Sequence, residues 1–95
     1  MNIEIDGNCV TTEAEFHTAI SRALNFPTYY GRNLDALFDV LGADVERPVV
    51  LVWKNFAASK ASMGDGFDRI VNVLRRVESQ DAEWGLEETF ELQMN

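Results

Sequence analysis

Polar and apolar residues alternate over positions 2–6 (Asn-Ile-Glu-Ile-Asp) and stop at Gly7, which predicts a short strand running into a turn. Thr12-Glu13-Ala14-Glu15 sets a hydroxyl and a carboxylate three positions apart, the arrangement of a capping box. Phe16, Ala19, Ile20, Ala23 and Leu24 then repeat at helical spacing, and Pro27 marks the end of that helix. A second helix is predicted over about 33–41. Asn33 offers a capping side chain, Leu34, Leu37, Phe38 and Leu41 form the apolar stripe, and Gly42 offers a left-handed residue to end it.

Pro48 introduces an unbroken apolar run over 49–53, which reads as a central strand covered on both faces. A short helix is expected within 55–61. Gly64-Asp65-Gly66 reads as a break before Phe67, Ile70, Val71, Leu74 and Val77, the stripe of an amphipathic fourth helix. Residues 78–91 hold six acids and no base, with Trp84 among them, and read as a solvated loop. Alternation over 89–94 predicts a closing strand. Strands separated by helices predict an α/β fold: one domain over 1–95, a mainly parallel three-stranded sheet packed with about four helices.

Composition narrows the function classes. The chain carries 16 acidic against 8 basic side chains, a formal charge of −8. That balance argues against direct nucleic-acid binding, which needs an excess of Lys and Arg, and points to a basic partner. No apolar run approaches the ~20 residues of a membrane span, and Met1-Asn2-Ile3-Glu4 lacks the start of a secretory signal. With a single cysteine, Cys9, the expectation is a reduced, cytoplasmic protein with a small, partly buried thiol.

Asp35 and Asp39 lie four apart on the second helix, so their carboxylates share a face about one turn apart, with Phe38 between them. Two readings stand: an ordinary solvated face, or a docking surface for a cationic partner. Tyr29-Tyr30-Gly31 precedes the helix, and one ring is expected to point inward and the other outward. A tyrosine beside acidic groups is a combination common at binding hot spots. Catalytic chemistry finds little support. The lone His17 has no nucleophile placed near it by motif, and paired carboxylates on an open helix lack the apolar pocket that would separate an acid from a base. No metal-ligand spacing or phosphate loop is present, so neither a metal nor a cofactor is expected. Arg69 and Arg76 lie opposite the apolar stripe of the fourth helix and read as solvated charges.

The string Tyr29-Tyr30-Gly31-Arg32-Asn33-Leu34-Asp35-Ala36-Leu37-Phe38-Asp39 closely resembles the signature of the barstar family, intracellular protein inhibitors of barnase-type ribonucleases. The likeness extends to Ile5-Asp6-Gly7 and from Pro48 through Ser59-Lys60, covering about 75 residues and weakening after 77. It implies a three-stranded parallel sheet with packed helices. It also implies a mechanism of obstruction, in which the second helix and the loop before it plug the nuclease's active site. On that resemblance Asp39 is the main phosphate mimic, Asp35 a second charge and Tyr29 the aromatic packing on the enzyme. Asn33 caps the helix and Gly31 permits close approach. Tyr30, Leu34, Phe38, Gly42, Ala43, Asp44 and Arg76 complete the expected partner-binding set.

Several positions depart from the family pattern. Phe38 replaces a Trp, Ala43-Asp44 stands where Gly-Trp is expected, Arg76 reverses the charge of a glutamate, and Gln80 replaces another acid. The implied partner is a basic secreted or toxin ribonuclease, bound one-to-one by a monomer and not interchangeable with barnase. The alternative is a non-inhibitory binding module on the same fold with a different basic partner.

Overall fold

The computed structural model describes residues 1–95. The elements follow the expected order: β1 (Asn2–Asp6), α1 (Glu13–Leu24), α2 (Leu34–Ala43), β2 (Val49–Lys54), α3 (Phe56–Met63), α4 (Asp65–Glu83) and β3 (Phe90–Met94). All strands are parallel in the spatial order β1-β2-β3, with Ile3 opposite Leu51 and Leu51 opposite Leu92. β2 is central, as its apolar run predicts.

The expectation that β2 is covered on both faces is corrected. Val49, Leu51 and Trp53 are fully buried, whereas Val50 and Val52 are half-buried beside exposed Asn2, Glu4, Glu91 and Gln93. The core therefore lies against one face, where Trp53 stacks on Phe16 of α1 at 5.1 Å and meets Phe67 of α4 at 5.0 Å. β-Branched Val50 and Val52 keep the run apolar on the open face, which is why alternation was hidden.

Local chemistry sets the helix ends. Thr12 Oγ accepts from the Glu15 N–H at 3.1 Å, while the Glu15 carboxylate reaches Thr11 (N–H at 3.0 Å, hydroxyl at 2.6 Å), one residue further out than a standard capping box. Asn33 accepts from the Ala36 N–H at 2.8 Å and starts α2.

Two glycine assignments change. Gly42 does not end α2, which runs on to Ala43 with Asp44 at its cap. A Cβ at Gly42 would lie 3.1 Å from Gln80 Oε1, so this glycine serves the packing of α2 on α4. Of the 64–66 turn only Gly64 breaks the chain, at φ +57°, and Asp65 and Gly66 already belong to α4.

The acidic stretch is also corrected. α4 continues through Glu83, and Asp81 within it is buried. Its carboxylate takes two hydrogen bonds from Arg47, Nε and Nη2 each at 3.0 Å, and one from the Phe90 N–H at 2.8 Å. Arg47 Nη1 donates in addition to the carbonyls of Leu41 and Val45, both at 2.6 Å. One ion pair thus ties the C-terminal part of α2, the loop before β2, the end of α4 and the start of β3 together. Burial pushes the Asp81 carboxyl up, but Arg47 and the Phe90 N–H outweigh it and hold it below its ordinary value. Cys9, expected partly buried, is exposed in the turn after β1.

Candidate functional site

The loop over 25–33 is anchored to α1 before it delivers the chain to α2. Tyr30 is buried at 8 % exposure, edge-on to Phe26 at 4.8 Å, with its hydroxyl 2.6 Å from His17 Nδ1. Arg32 adopts a left-handed φ of 55° and its Nη2 donates to the Ala14 carbonyl at 3.1 Å and to the Thr18 hydroxyl at 2.8 Å. Neither His17 nor Arg32 was assigned a role from sequence, because each is defined by contacts more than a dozen residues away.

With Tyr30 inside, Tyr29 is left 77 % exposed, so the division of the two rings is as expected and Tyr29 is the outward one. Tyr30 is the inward ring and anchors the loop to α1. A Cβ at Gly31 would sit 3.2 Å from Asn33 Nδ2 and 3.3 Å from the Ala36 Cβ, which keeps the loop close against the first turn of α2.

On α2, Asp35 and Asp39 are exposed, and neither takes part in a hydrogen bond or ion pair through its side chain. The last turn of the helix has no basic residue, and Asp44 adds a third carboxylate at its cap. Asp39 and Asp44 therefore stand towards the negative end of the helix dipole, with no countercharge. Leu34 and Phe38 are half-buried against the core, Asn33 and Ala43 are exposed, and Gly42 is half-buried.

Two adjoining hollows, both open to solvent, lie between α2 and α4. One, of about 150 Å³, is lined by Phe38, Asp39, Gly42, Ala43, Gln80 and Trp84. The other, of about 280 Å³, shares Phe38, Gln80 and Trp84 and adds Arg76, Ser79 and Glu83. Arg76 is not simply solvated: its Cζ lies 4.6 Å from the centre of the Phe38 ring. Trp84, at 62 % exposure, was assigned no role from sequence, since its place beside α2 depends on α4 running past residue 78. The structure thus brings Phe38, Asp39, Gly42, Ala43 and Arg76 to one surface with Trp84. Tyr29 and Asp35 are exposed on the loop and first turn that lead into it.

The whole chain up to residue 93 matches one protein family, described as Barstar (barnase inhibitor). The chain belongs to the barstar family. The match includes the region after residue 77, where the sequence resemblance is weakest. A protein of Bacillus subtilis (strain 168) named "Putative ribonuclease inhibitor YrdF" is 38 % identical over 78 residues, covering 82 % of this chain and 86 % of that one. Family and relative together support a ribonuclease-inhibitor role. No helix is long and apolar enough to cross a membrane.

Proposed function

We propose that this barstar-family chain inhibits a basic ribonuclease by placing α2 and the preceding loop over its active site. The observation that carries the reading is the pair of exposed, unpartnered carboxylates on one face of α2, flanked by outward Tyr29 and half-buried Phe38. Asp39 takes the place of an RNA phosphate against the enzyme's cationic side chains, Asp35 supplies a second charge, and the Tyr29 ring packs on the enzyme surface. Exposed Gly31 and Asn33 lie with Tyr29 against the enzyme in this reading, and Tyr30 and Arg32 brace the loop from behind. They hold the loop and the helix start so that little ordering remains to be done on binding. The partner is a secreted or toxin ribonuclease held one-to-one, and the chain acts as an immunity protein in the cytoplasm.

The test is inhibition of a barnase-type ribonuclease on a fluorogenic RNA, with wild type and Asp39→Ala titrated at low and moderate salt. Stoichiometric inhibition by the wild type is expected, weakening with salt. Asp39→Ala is expected to lose about a hundredfold or more, the range for truncating one member of a desolvated interfacial charge pair, for which barnase–barstar is itself a reference system. Unchanged affinity of Asp39→Ala would overturn the role given to that residue.

A further inference from the structure

We infer that the open edge of β1 takes up an extended segment of a partner protein as an added strand, and that this segment alternates aliphatic and basic residues. Its main chain pairs with Asn2, Glu4 and Asp6, and its aliphatic side chains enter the hollow between β1 and α1. Neither Tyr29, Asp35 nor Asp39 lines that hollow, so the inference goes beyond the inhibitor reading and does not depend on it.

The two edges of the sheet are finished differently. On β3 the outward main-chain groups are closed by α4: the Phe90 N–H donates to Asp81 at 2.8 Å, the Leu92 N–H to Glu78 at 2.7 Å, and the Leu92 carbonyl accepts from Arg75 at 3.2 Å. β1 has no such cover. The Met1 carbonyl accepts from the Val50 N–H and the Gly7 N–H donates to the Lys54 carbonyl, so the odd-numbered residues of β1 turn their main chain towards β2. Asn2, Glu4 and Asp6 turn theirs to the open side, and all three are exposed. There the Asp6 carbonyl serves the Cys9 and Val10 N–H groups of the turn, while the three N–H groups and the carbonyls of Asn2 and Glu4 have no partner within the chain. A row of unpaired donors and acceptors on an exposed edge is a template for a further strand.

The surroundings of the edge say what the strand carries. Beside it lies the largest hollow of the chain, about 480 Å³ and open to solvent, with Ile5, Val10, Ala14 and Ala19 as its apolar wall. The short side chains of exposed Ala14 and half-buried Ala19 leave room for aliphatic groups on the core side of an added strand. Alternate side chains of that strand point the other way, beside Glu4 and Asp6. Three lining carboxylates, Glu4, Asp6 and Glu15, stand against one base, Arg22. Lys54 engages Glu4 Oε2, and Asn8 and Asn55 engage Asp6 Oδ1, so each of these carboxylates keeps an oxygen for a cation. A second copy of the chain fits this edge poorly. Antiparallel pairing centred on Glu4 would set that residue opposite its own mate, between two chains of charge −8 each.

The probe is an acetylated, amidated Lys-Val-Lys-Val-Lys-Val-Lys peptide, titrated into the ¹⁵N-labelled full chain, with a Glu-Val-Glu-Val-Glu-Val-Glu peptide as its charge-reversed counterpart. Resonance shifts are expected along β1 and on the α1 residues that line the hollow. At a peptide concentration about ten times the dissociation constant, the Glu4 and Asp6 amides should exchange with water about tenfold more slowly. The Ile3 and Ile5 amides, already bonded to β2, should keep their rates. The acidic peptide should cause neither change. Glu4→Lys should weaken binding about fivefold. Glu4→Pro, which removes an outward donor that an edge strand can spare, should weaken it about tenfold.

Absence of any shift up to about 1 mM peptide, the scale of the weakest specific contacts, overturns the inference. So do shifts centred on Asp35 and Asp39 in place of β1, which would mean that the peptide reads the acidic helix. Equal binding of the acidic peptide overturns the charge rule. Slowed Glu4 exchange that grows with the chain's own concentration, without peptide, makes a second copy the occupant and overturns the choice of partner. Each of these results leaves nuclease inhibition through Asp39 as a separate question.

Discussion

Asp81→Ala is the substitution by which the structure departs furthest from a reading of residues 78–91 as a solvated loop. The side chain of Asp81 is 1 % exposed and that of Arg47 11 %. Truncation removes three acceptor contacts: two from Arg47 and one from the Phe90 N–H. The Phe90 N–H is then buried without an acceptor, a cost of about 1–3 kcal/mol, and Arg47 keeps only its two carbonyl contacts with its charge uncompensated. Breaking a buried pair from one side costs about 3–5 kcal/mol in all. A 95-residue domain has a total of roughly 5–14 kcal/mol, so the loss is about a fifth of it or more.

The assay is urea unfolding followed by far-UV circular dichroism and by fluorescence of buried Trp53. Asp81→Asn, which keeps one acceptor and the volume, is expected to fall between wild type and Asp81→Ala. Glu4→Ala, which opens only the exposed Lys54–Glu4 pair at 3.1 Å, should change stability by about 0.5 kcal/mol or less. Acid supplies an internal check. The Asp81 carboxyl is held below its ordinary value of 3.8, so its contribution is fully present above that pH and is lost as pH falls through the folded-state value. The gap between wild type and Asp81→Ala should therefore be constant near neutrality and close in strong acid. A deficit under about 1.5 kcal/mol at pH 7, or one that does not narrow in acid, would refute the argument.

Other consequences can be measured on the same footing. Burial holds His17 below its ordinary 6.5, with Glu13 opposing and Arg32 reinforcing the shift, so stability should be fully present above pH 6.5 and decline as pH falls towards the folded-state value. Proton NMR titration of the single imidazole checks the direction, and His17→Gln should flatten that part of the stability profile. Gly7→Ala would place a Cβ 2.0 Å from the Asn55 carbonyl oxygen, a backbone atom that cannot rotate away, and should cost about 3 kcal/mol in urea unfolding. Ser59→Ala removes the acceptor of the Trp53 indole N–H at 3.1 Å and a donor to the Val10 carbonyl at 2.7 Å, both buried, and should cost about 1–3 kcal/mol. Asp39→Ala should leave stability unchanged or raise it by a few tenths of a kcal/mol, because it relieves a like-charge i,i+4 pair and breaks no contact.

What the sequence made legible was whatever rests on neighbours along the chain. The first strand falls at Asn2–Asp6 as expected, Thr12 and Asn33 cap as their spacing implies, and the helical stripes face the core, buried at Phe16, Ile20, Leu37, Leu41, Phe67, Ile70, Leu74 and Val77 and half-buried at the rest. Misreadings collect where the deciding partner is distant. Asp81 looks solvated until Arg47, 34 residues away, is placed beside it. His17 gains its role from Tyr30 and Gly42 from Gln80. On the candidate site, the shared exposed face of Asp35 and Asp39 was readable from the helical period, and so was the division of the two tyrosines, though not which of them faces out. Trp84 was not, because its position depends on α4 extending beyond the last clear apolar repeat.

Those two groups of residues also divide stability from recognition. The chain's buried polar contacts, Arg47–Asp81, Ser59–Trp53 and His17–Tyr30, involve none of Asp35, Asp39, Arg76 and Trp84. α2 and its C-cap bear three carboxylates and no base, a cost of only tenths of a kcal/mol on an exposed helix. A face so weakly coupled to the core can change charge sign at one position, or trade an aromatic between α2 and α4, with little consequence for folding. The departures at Phe38, Ala43, Asp44, Arg76 and Gln80 all fall on or beside that face. They are changes that the fold tolerates and that a binding partner would detect.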